Sequence, residues 1–174
     1  MMKAQIIKLD TALYFALYKP KRGPWFKWLM LMLSKSGNGG LYVVLALLNG
    51  YFMGKVGVTF FQTVLLAFAI ERPLYFVLKN HFARVRPCDC LAVKAMLTPS
   101  DKFSLPSGHS AGAWLYATCL MEVYPVLTIP LIVWAMGVSL SRVLVGVHYP
   151  IDVIIGALMG SGCAVLAIDI LGEL

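Results

Sequence analysis

The sequence predicts an all-α fold, a polytopic bundle of membrane-spanning helices that forms a single domain over residues 1–174. Of its 174 residues, 60% are hydrophobic and only 13% are charged, with a mean hydropathy of +0.79. A soluble domain has about 45–50% apolar and about 25% charged residues. The apolar residues are also gathered into segments near the length of about 20 residues that a bilayer span needs, and Gly- and Pro-containing breaks separate these segments.

Residues 1–36 are expected to lie at one membrane surface. Residues 4–18 are apolar but short, and they contain Lys8 and Asp10. Residues 25–35 place tryptophan and phenylalanine beside lysine, a pattern that is typical of amphipathic interfacial helices. The alternative for this region is a tilted and broken first span.

Residues 37–174 contain five segments that are predicted to cross the membrane: 40–54, 57–79, 107–124, 126–145 and 151–171. A sixth span results if the N-terminal region also crosses. The last segment contains Gly156, Gly160, Ser161 and Gly162, and small residues at such spacing allow helices to pack closely.

Two charged residues in the second span are unusual. Glu71 and Arg72 lie in its second half, where ionisable groups are costly and face the bundle interior or water. Adjacent residues on a helix do not face each other, so each is expected to have a different partner. The alternative is that both reach the membrane surface with their long side chains.

Counting the five spans brings three polar breaks to one face of the membrane. These breaks are residue 38 with its neighbours, the loop 80–106 and the segment 146–150. The second of them leads directly into a helix. A helix start leaves free N–H groups and a positive dipole end, which together bind anions.

The formal net charge of +7 predicts an anionic partner. In a membrane protein this means an anionic lipid surface or a phosphorylated lipid substrate, and no nucleic-acid-binding motif is visible. Cys88-Asp89-Cys90 has no second cysteine cluster, so no metal site is expected. No other cofactor and no obligate protein partner is indicated.

The polar breaks supply the parts of a phosphate site. In chain order these parts are Lys79, Arg86, Ser107, Gly108, His109, Arg142, His148 and Asp152. Arginine offers a bidentate fork to phosphate oxygens and lysine a point charge. Two imidazoles and one carboxylate are the minimum set for a covalent displacement with acid–base help.

These residues stand in three motifs: K-x6-R-P from Lys79 to Pro87, P-S-G-H from Pro106 to His109, and S-R-x5-H-x3-D from Ser141 to Asp152. In these motifs the chain resembles the type 2 phosphatidic acid phosphatase family, also called the lipid phosphate phosphatases. The resemblance extends from about residue 37 to the C-terminus and adds little for the residues before it.

The resemblance implies a role for each matched position. His148 would attack phosphorus to form a phosphohistidine, Asp152 would hold the right tautomer of His148, and His109 would protonate the leaving oxygen and then activate water. The phosphoryl oxygens would be bound by Lys79, Arg86, Ser107, Gly108 and Arg142. Arg84 and His81 lie outside the matched positions and are expected to be solvated and interfacial, respectively.

The expected function is therefore hydrolysis of a lipid phosphomonoester or diphosphate at the bacterial inner membrane. Phosphatidylglycerophosphate, phosphatidic acid, undecaprenyl diphosphate and lipid A phosphate are the candidate substrates. A lipid-to-lipid phosphotransferase is the alternative, because it would share the phosphohistidine. A non-catalytic lipid transporter is the second alternative, although the intact pair of histidines argues against it.

The side of the membrane on which the site lies is predicted differently by two arguments. Seven basic residues precede the first predicted span: Lys3, Lys8, Lys19, Lys21, Arg22, Lys27 and Lys35. The positive-inside rule places such a segment, and the site with it, in the cytoplasm. The resemblance instead favours an extracytoplasmic site, and we adopt that placement as the expectation.

Overall fold

The computed structural model describes residues 2–19, 23–91, 93–99 and 101–172. Within them the α-helices are α1 (Met2–Leu17), α2 (Pro24–Ser36), α3 (Gly39–Phe52), α4 (Gly54–Phe82), α5 (Pro87–Cys90), α6 (Gly108–Val123), α7 (Thr128–Leu144) and α8 (Pro150–Leu171). A 3-10 turn, Pro125–Leu127, leads from α6 into α7. These residues contain no β-strand, and the predicted all-α membrane bundle is confirmed.

Three helical segments of the described chain are long and apolar enough to cross a bilayer: Gly54–Cys90, Pro125–Leu144 and Pro150–Leu171. Helices α2 and α3 together would form a fourth span, bent by 57° at the break between them. Helix α6 has 16 residues, which is short for a span, and it packs against α4, α7 and α8. The predicted count of five spans is therefore only approximate.

The N-terminal region begins and ends at one end of the bundle. Asp10 of α1 accepts a hydrogen bond from the backbone N–H of Ile151 at 3.0 Å. At the other limit of this region, Asn38 lies 2.9 Å from the imidazole of His109. Ile151 lies at the start of α8 and His109 at the start of α6, and the sequence predicts site residues at both of these helix starts. The segment between residues 10 and 38 therefore returns to the end of the bundle from which it starts.

Helices α6 and α8 approach each other to backbone contact. A Cβ atom at Gly160 would lie 2.0 Å from the carbonyl oxygen of Ala111, and one at Gly156 would lie 2.5 Å from that of Ser107. Only glycine allows this approach. The predicted close packing is confirmed at these two glycines and is wrong at Gly162, where a Cβ atom would meet no neighbouring atom within 4 Å.

The loop predicted for residues 80–105 is largely packed against the bundle. Helix α4 continues to Phe82, and α5 adds a further turn. The backbone N–H of Met96 donates to the carbonyl oxygen of Val145 at 2.9 Å, and that of Ser104 donates to the carbonyl oxygen of Arg84 at 2.8 Å. The first bond ties the loop to the C-terminal end of α7, and the second joins the two ends of the loop to each other.

Candidate active site

The start of α6 places two of the predicted residues in the first helical turn. Ser107 is the N-cap, and its hydroxyl accepts a hydrogen bond from the N–H of Ser110 at 3.5 Å. Gly108 and His109 follow it, and His109 Nε2 lies 2.9 Å from Asn38 Oδ1. Because the amide oxygen of Asn38 can only accept a hydrogen bond, Nε2 of His109 carries the ring hydrogen. Asn38 thereby fixes the orientation of the imidazole.

The start of α8 places the second imidazole beside a carboxylate. His148 lies just before α8, and Asp152 lies in its first turn, where one carboxylate oxygen accepts from the N–H of Tyr149 at 2.8 Å. The same oxygen lies 3.6 Å from His148 Nδ1, longer than a hydrogen bond. Such contacts are often long in the absence of substrate and shorten in the complex. Both side chains are buried.

Burial lowers the pKa of His148 to about 4, with Asp152 opposing the shift and Arg86 and Arg142 adding to it. The ordinary pKa of histidine is about 6.5, so this imidazole is neutral at pH 7. A neutral imidazole has a free electron pair. That state is the one in which a histidine can act as a nucleophile.

Two of the three predicted cations, Arg86 and Arg142, line the same cavity as the imidazoles. Arg86 donates through Nη1 to the carbonyl oxygen of Val147 at 2.8 Å, and the same nitrogen lies 3.3 Å from His148 Nε2. Arg142 bonds to the hydroxyl of Ser34 through Nη1, while its buried Nε has no partner among the described residues. The lysine of the first motif, Lys79, bonds instead to Tyr75, Asp101 and the carbonyl oxygen of Pro106.

These groups open onto a cavity of about 570 Å³. Of the predicted residues, those that line it are Arg86, Gly108, His109, Arg142 and His148. The rest of the wall is mainly apolar and comes from α3, α4 and α6, with Tyr42, Ala46, Phe61, Val64, Leu65 and Phe68 among its members. Lys79, Ser107 and Asp152 are not among the lining residues. A polar end that carries two imidazoles thus continues into an apolar groove.

Asp101 is a site residue that sequence reasoning missed. Its carboxylate accepts from Lys79 Nζ at 2.9 Å and from Tyr75 Oη at 2.5 Å, and it also pairs with Arg86. Its position five residues before the P-S-G-H motif belongs to no motif. The available signal was the presence of acidic residues, Asp89 and Asp101, in a loop otherwise expected to bind phosphate.

Arg84 is only partly exposed and lies in an ion-pair network, so the expectation that it is solvated is wrong. Its Nη1 donates to Asp152 at 2.7 Å and its Nη2 donates to Asp10 at 2.6 Å. The guanidinium also lies over the ring of Tyr149, 4.0 Å from the centroid. The fully buried Asp10 therefore connects α1 to the carboxylate beside His148. The signal available in the sequence was Asp10, an aspartate in an apolar segment, which indicates a cationic partner elsewhere in the chain.

Glu71 and Arg72 pair with each other, contrary to the expectation of separate partners. Arg72 donates through Nε and Nη2 to the two oxygens of Glu71. The side chain of Glu71 is fully buried. The rule that adjacent helical residues diverge fails because the long arginine side chain folds back over the helix toward its neighbour.

The two cysteines of the C-x-C pattern flank the site. Cys90 Sγ lies 3.2 Å from Tyr149 Oη and 3.1 Å from the carbonyl oxygen of Arg86. Within the described ranges no group of three or more His, Cys, Asp or Glu side chains could hold a metal ion. The absence of a metal requirement stays a prediction.

Comparison with known proteins identifies the class to which this fold and this site belong. The family model described as the PAP2 superfamily matches residues 41–173. The chain therefore belongs to the PAP2 superfamily, as the three motifs predict.

Two relatives have named activities. The undecaprenyl-diphosphatase of Sulfolobus acidocaldarius is 34% identical over 151 residues, which cover 82% of this chain and 69% of that protein. Phosphatidylglycerophosphatase B of Bacillus subtilis is 31% identical over 163 residues, with 80% of this chain and 72% of that protein covered.

Two solved structures share the fold. LpxE of Aquifex aeolicus has a TM-score of 0.82 at 26% identity, over 92% of this chain and 95% of that one. The PAP2-type phosphatidylglycerolphosphate phosphatase of Bacillus subtilis has a TM-score of 0.77 at 28% identity, over 95% and 86%. The chain is thus a membrane-embedded phosphoric ester hydrolase of the lipid phosphatase class.

Proposed function

We propose that the chain hydrolyses the phosphate of a membrane lipid, with His148 as the nucleophile and His109 as the acid–base group. One observation carries this proposal. Two imidazoles and two guanidinium groups line the polar end of a cavity whose other walls are apolar. A phosphate fits the polar end, and the hydrocarbon of the same lipid fits the groove.

In the first step, His148 Nε2 attacks phosphorus. Nδ1 faces Asp152, so the Nδ1–H tautomer is favoured and the electron pair lies on Nε2. A P–N bond forms while the P–O bond to the lipid breaks. His109, in its doubly protonated form, keeps the Nε2 hydrogen on Asn38 and donates its Nδ1 proton to the departing oxygen, so that the lipid leaves as an alcohol, or as a monophosphate when the substrate is a diphosphate.

In the second step, water attacks the phosphohistidine. His109 accepts a proton from this water, the P–N bond breaks, and its electron pair returns to Nε2 of His148. Inorganic phosphate is the product. Arg86, Arg142 and the N–H groups of Ser107 and Gly108 stabilise the charge on the phosphoryl oxygens in both steps. Lys79 also binds these oxygens once its bond to Asp101 is broken.

The proposed substrates are undecaprenyl diphosphate and phosphatidylglycerophosphate, for which the two relatives above are named, and lipid A phosphate. The last is taken from the lipid A 1-phosphatase of Rhizobium johnstonii, which is 35% identical over 63 residues that cover 36% of this chain and 26% of that protein. The groove supports this class because it provides an apolar surface beside the phosphate end. We further propose that the chain lies in the bacterial plasma membrane with its site on the extracytoplasmic face, as the family resemblance favours, and that it acts without an obligate protein partner.

The proposal is tested by phosphate release from these lipids in detergent, with vanadate as a phosphate-site inhibitor. His148→Ala is expected to lower kcat by at least about 10³-fold, and His109→Ala by about 10²- to 10⁴-fold, the range for a lost general acid or base. His81→Ala is the matched control, because His81 is exposed and touches only the neighbouring Phe82 ring among the contacts found for it. Native rates in both of the first two variants would overturn the proposal.

A further inference from the structure

The Glu71–Arg72 pair lies in a membrane span and has no part in the reaction described so far. Charged groups at membrane depth are costly, and their presence marks a functional site more often than a structural one. Glu71 is fully buried, whereas 42% of the Arg72 side chain is exposed. Arg72 also lines the cavity that contains His109 and His148.

The pairing leaves one edge of the guanidinium free. Nε and Nη2 of Arg72 are both bonded to Glu71, and Nη1 has no hydrogen-bond partner in the part of the chain that the structure describes. A guanidinium carries five N–H donors in a rigid plane. The edge formed by Nη1 and the outer hydrogen of Nη2 is therefore available to a second anion. Glu71 neutralises the charge of Arg72, so this edge offers directed donors rather than net positive charge.

Arg72 and Lys79, a predicted phosphate-binding residue of the same helix, both contact the ring of Tyr75. The guanidinium carbon of Arg72 is 4.6 Å from the ring centroid of Tyr75, and Lys79 Nζ is 4.5 Å from the same centroid. The two cations are consequently within about 9 Å of each other. Residues 72 and 79 are separated by about 10 Å along the helix axis, so Arg72 lies on the groove side of the phosphate site, toward the hydrocarbon.

We propose that Arg72 is a second anion-binding subsite that selects lipids carrying a further anionic group between the hydrolysed phosphate and the hydrocarbon. This inference rests on the proposed function. Because Arg72 lines the same cavity as His109 and His148, its position suits an anion joined to the hydrolysed phosphate through a short linker, as in the phosphodiester of a glycerophosphate head group. Phosphatidylglycerophosphate has this arrangement, and phosphatidic acid lacks the second anion.

The experiment compares kcat/KM for phosphatidylglycerophosphate and phosphatidic acid with identical acyl chains. Arg72→Gln is expected to lower the ratio of the two values by about tenfold, the effect of losing one charge-assisted hydrogen-bonded contact. Because Arg72→Gln leaves Glu71 buried without a partner, the double variant Glu71→Gln/Arg72→Gln is measured beside it and is expected to show the same loss. Lys55→Gln, an exposed cation at the other end of α4, is the control that leaves the ratio unchanged.

The outcomes distinguish failure of the Arg72 subsite from failure of the proposed hydrolysis on which it rests. Equal losses on both lipids would overturn the subsite and assign Arg72 to holding Tyr75, which bonds to Lys79 and Asp101. An unchanged ratio in the double variant would also overturn it. Release of phosphate from other lipid phosphates but not from phosphatidylglycerophosphate would overturn the selectivity proposed for Arg72, whereas failure of the native protein to release phosphate from any of the proposed lipids would contradict the proposed function.

Discussion

Asp101 holds two of the three cations that the sequence predicts for phosphate binding. Its carboxylate contacts Lys79 and Arg86 and accepts a further hydrogen bond from Tyr75. Burial raises the pKa of this carboxyl, but the bonds from Tyr75, Lys79 and Arg86 more than offset this effect and lower the pKa to about 2. Asp101 is therefore ionised at neutral pH, and it competes with a phosphate for the same donors.

Replacing this carboxylate is expected to strengthen phosphate binding. Asp101→Asn removes the competing charge and frees Lys79, so the inhibition constant of vanadate should fall by about three- to tenfold, which is up to about 1.4 kcal/mol. Asp89→Asn is the control, because Asp89 is exposed on the neighbouring α5. Weaker vanadate inhibition in Asp101→Asn would show that Asp101 arranges the cations for substrate instead of competing with it.

At the scale of helices, the contact between α6 and α8 places the two imidazoles at the same cavity. His109 lies in the first turn of α6, and His148 precedes the first turn of α8. The backbone N–H of Ser107 donates to the carbonyl oxygen of Asp152 at 3.0 Å. The backbone approach at Gly156 and Gly160 continues this contact along both helices. The geometry of the site therefore depends on the absence of side chains at two positions in α8.

A methyl group at one of these positions is expected to separate the helices. Gly160→Ala places a Cβ 2.0 Å from the carbonyl oxygen of Ala111, and overpacking of this kind costs about 1–3 kcal/mol. Thermal unfolding in detergent should show a Tm lower by several degrees and a reduced kcat. Gly162→Ala on the same helix meets open space and serves as the control. Equal Tm values for the two variants would contradict the account of this packing.

The residues that local motifs identify and the residues that they miss differ in a physical way. His109, His148 and Asp152 are recognisable because short segments at helix starts carry them, and the structure brings these starts together. Asp10 and Arg84 are 74 residues apart, and no local pattern predicts their contact. Their pairing depends on how α1 packs against the start of α8, which is a property of the folded chain.

At the scale of the whole molecule, the N-terminal region and the site share one end of the bundle. Asp10 contacts Arg84 and Ile151, and Asn38 contacts His109. Of the basic residues that precede the first predicted span, Lys8 and Lys35 lie within three positions of Asp10 and Asn38, at the end of the bundle that holds the site, where they favour an anionic lipid surface. The positive-inside rule assigns that side to the cytoplasm, in opposition to the proposed extracytoplasmic site. The organisation as one domain stays a prediction.

Cysteine accessibility in intact cells distinguishes the two orientations. Cys90 is exposed and Cys88 is partly exposed beside the site, whereas Cys119 and Cys163 are buried in the bundle. A membrane-impermeant maleimide should label the native protein without permeabilisation, and a Cys88→Ser/Cys90→Ser variant should remain unlabelled. Labelling that requires permeabilised cells would place the site in the cytoplasm.

The central claim is that a lipid phosphate passes through a covalent bond to His148, and trapping that bond tests it most directly. Protein mixed with a lipid labelled in its phosphate is quenched within the first turnover under alkaline conditions, digested and analysed by mass spectrometry. The account predicts a phosphoryl group on the peptide that contains His148, absent in His148→Ala and longer-lived in His109→Ala. A phosphoryl group on Ser107, or phosphate release by His148→Ala at the native rate, would contradict it.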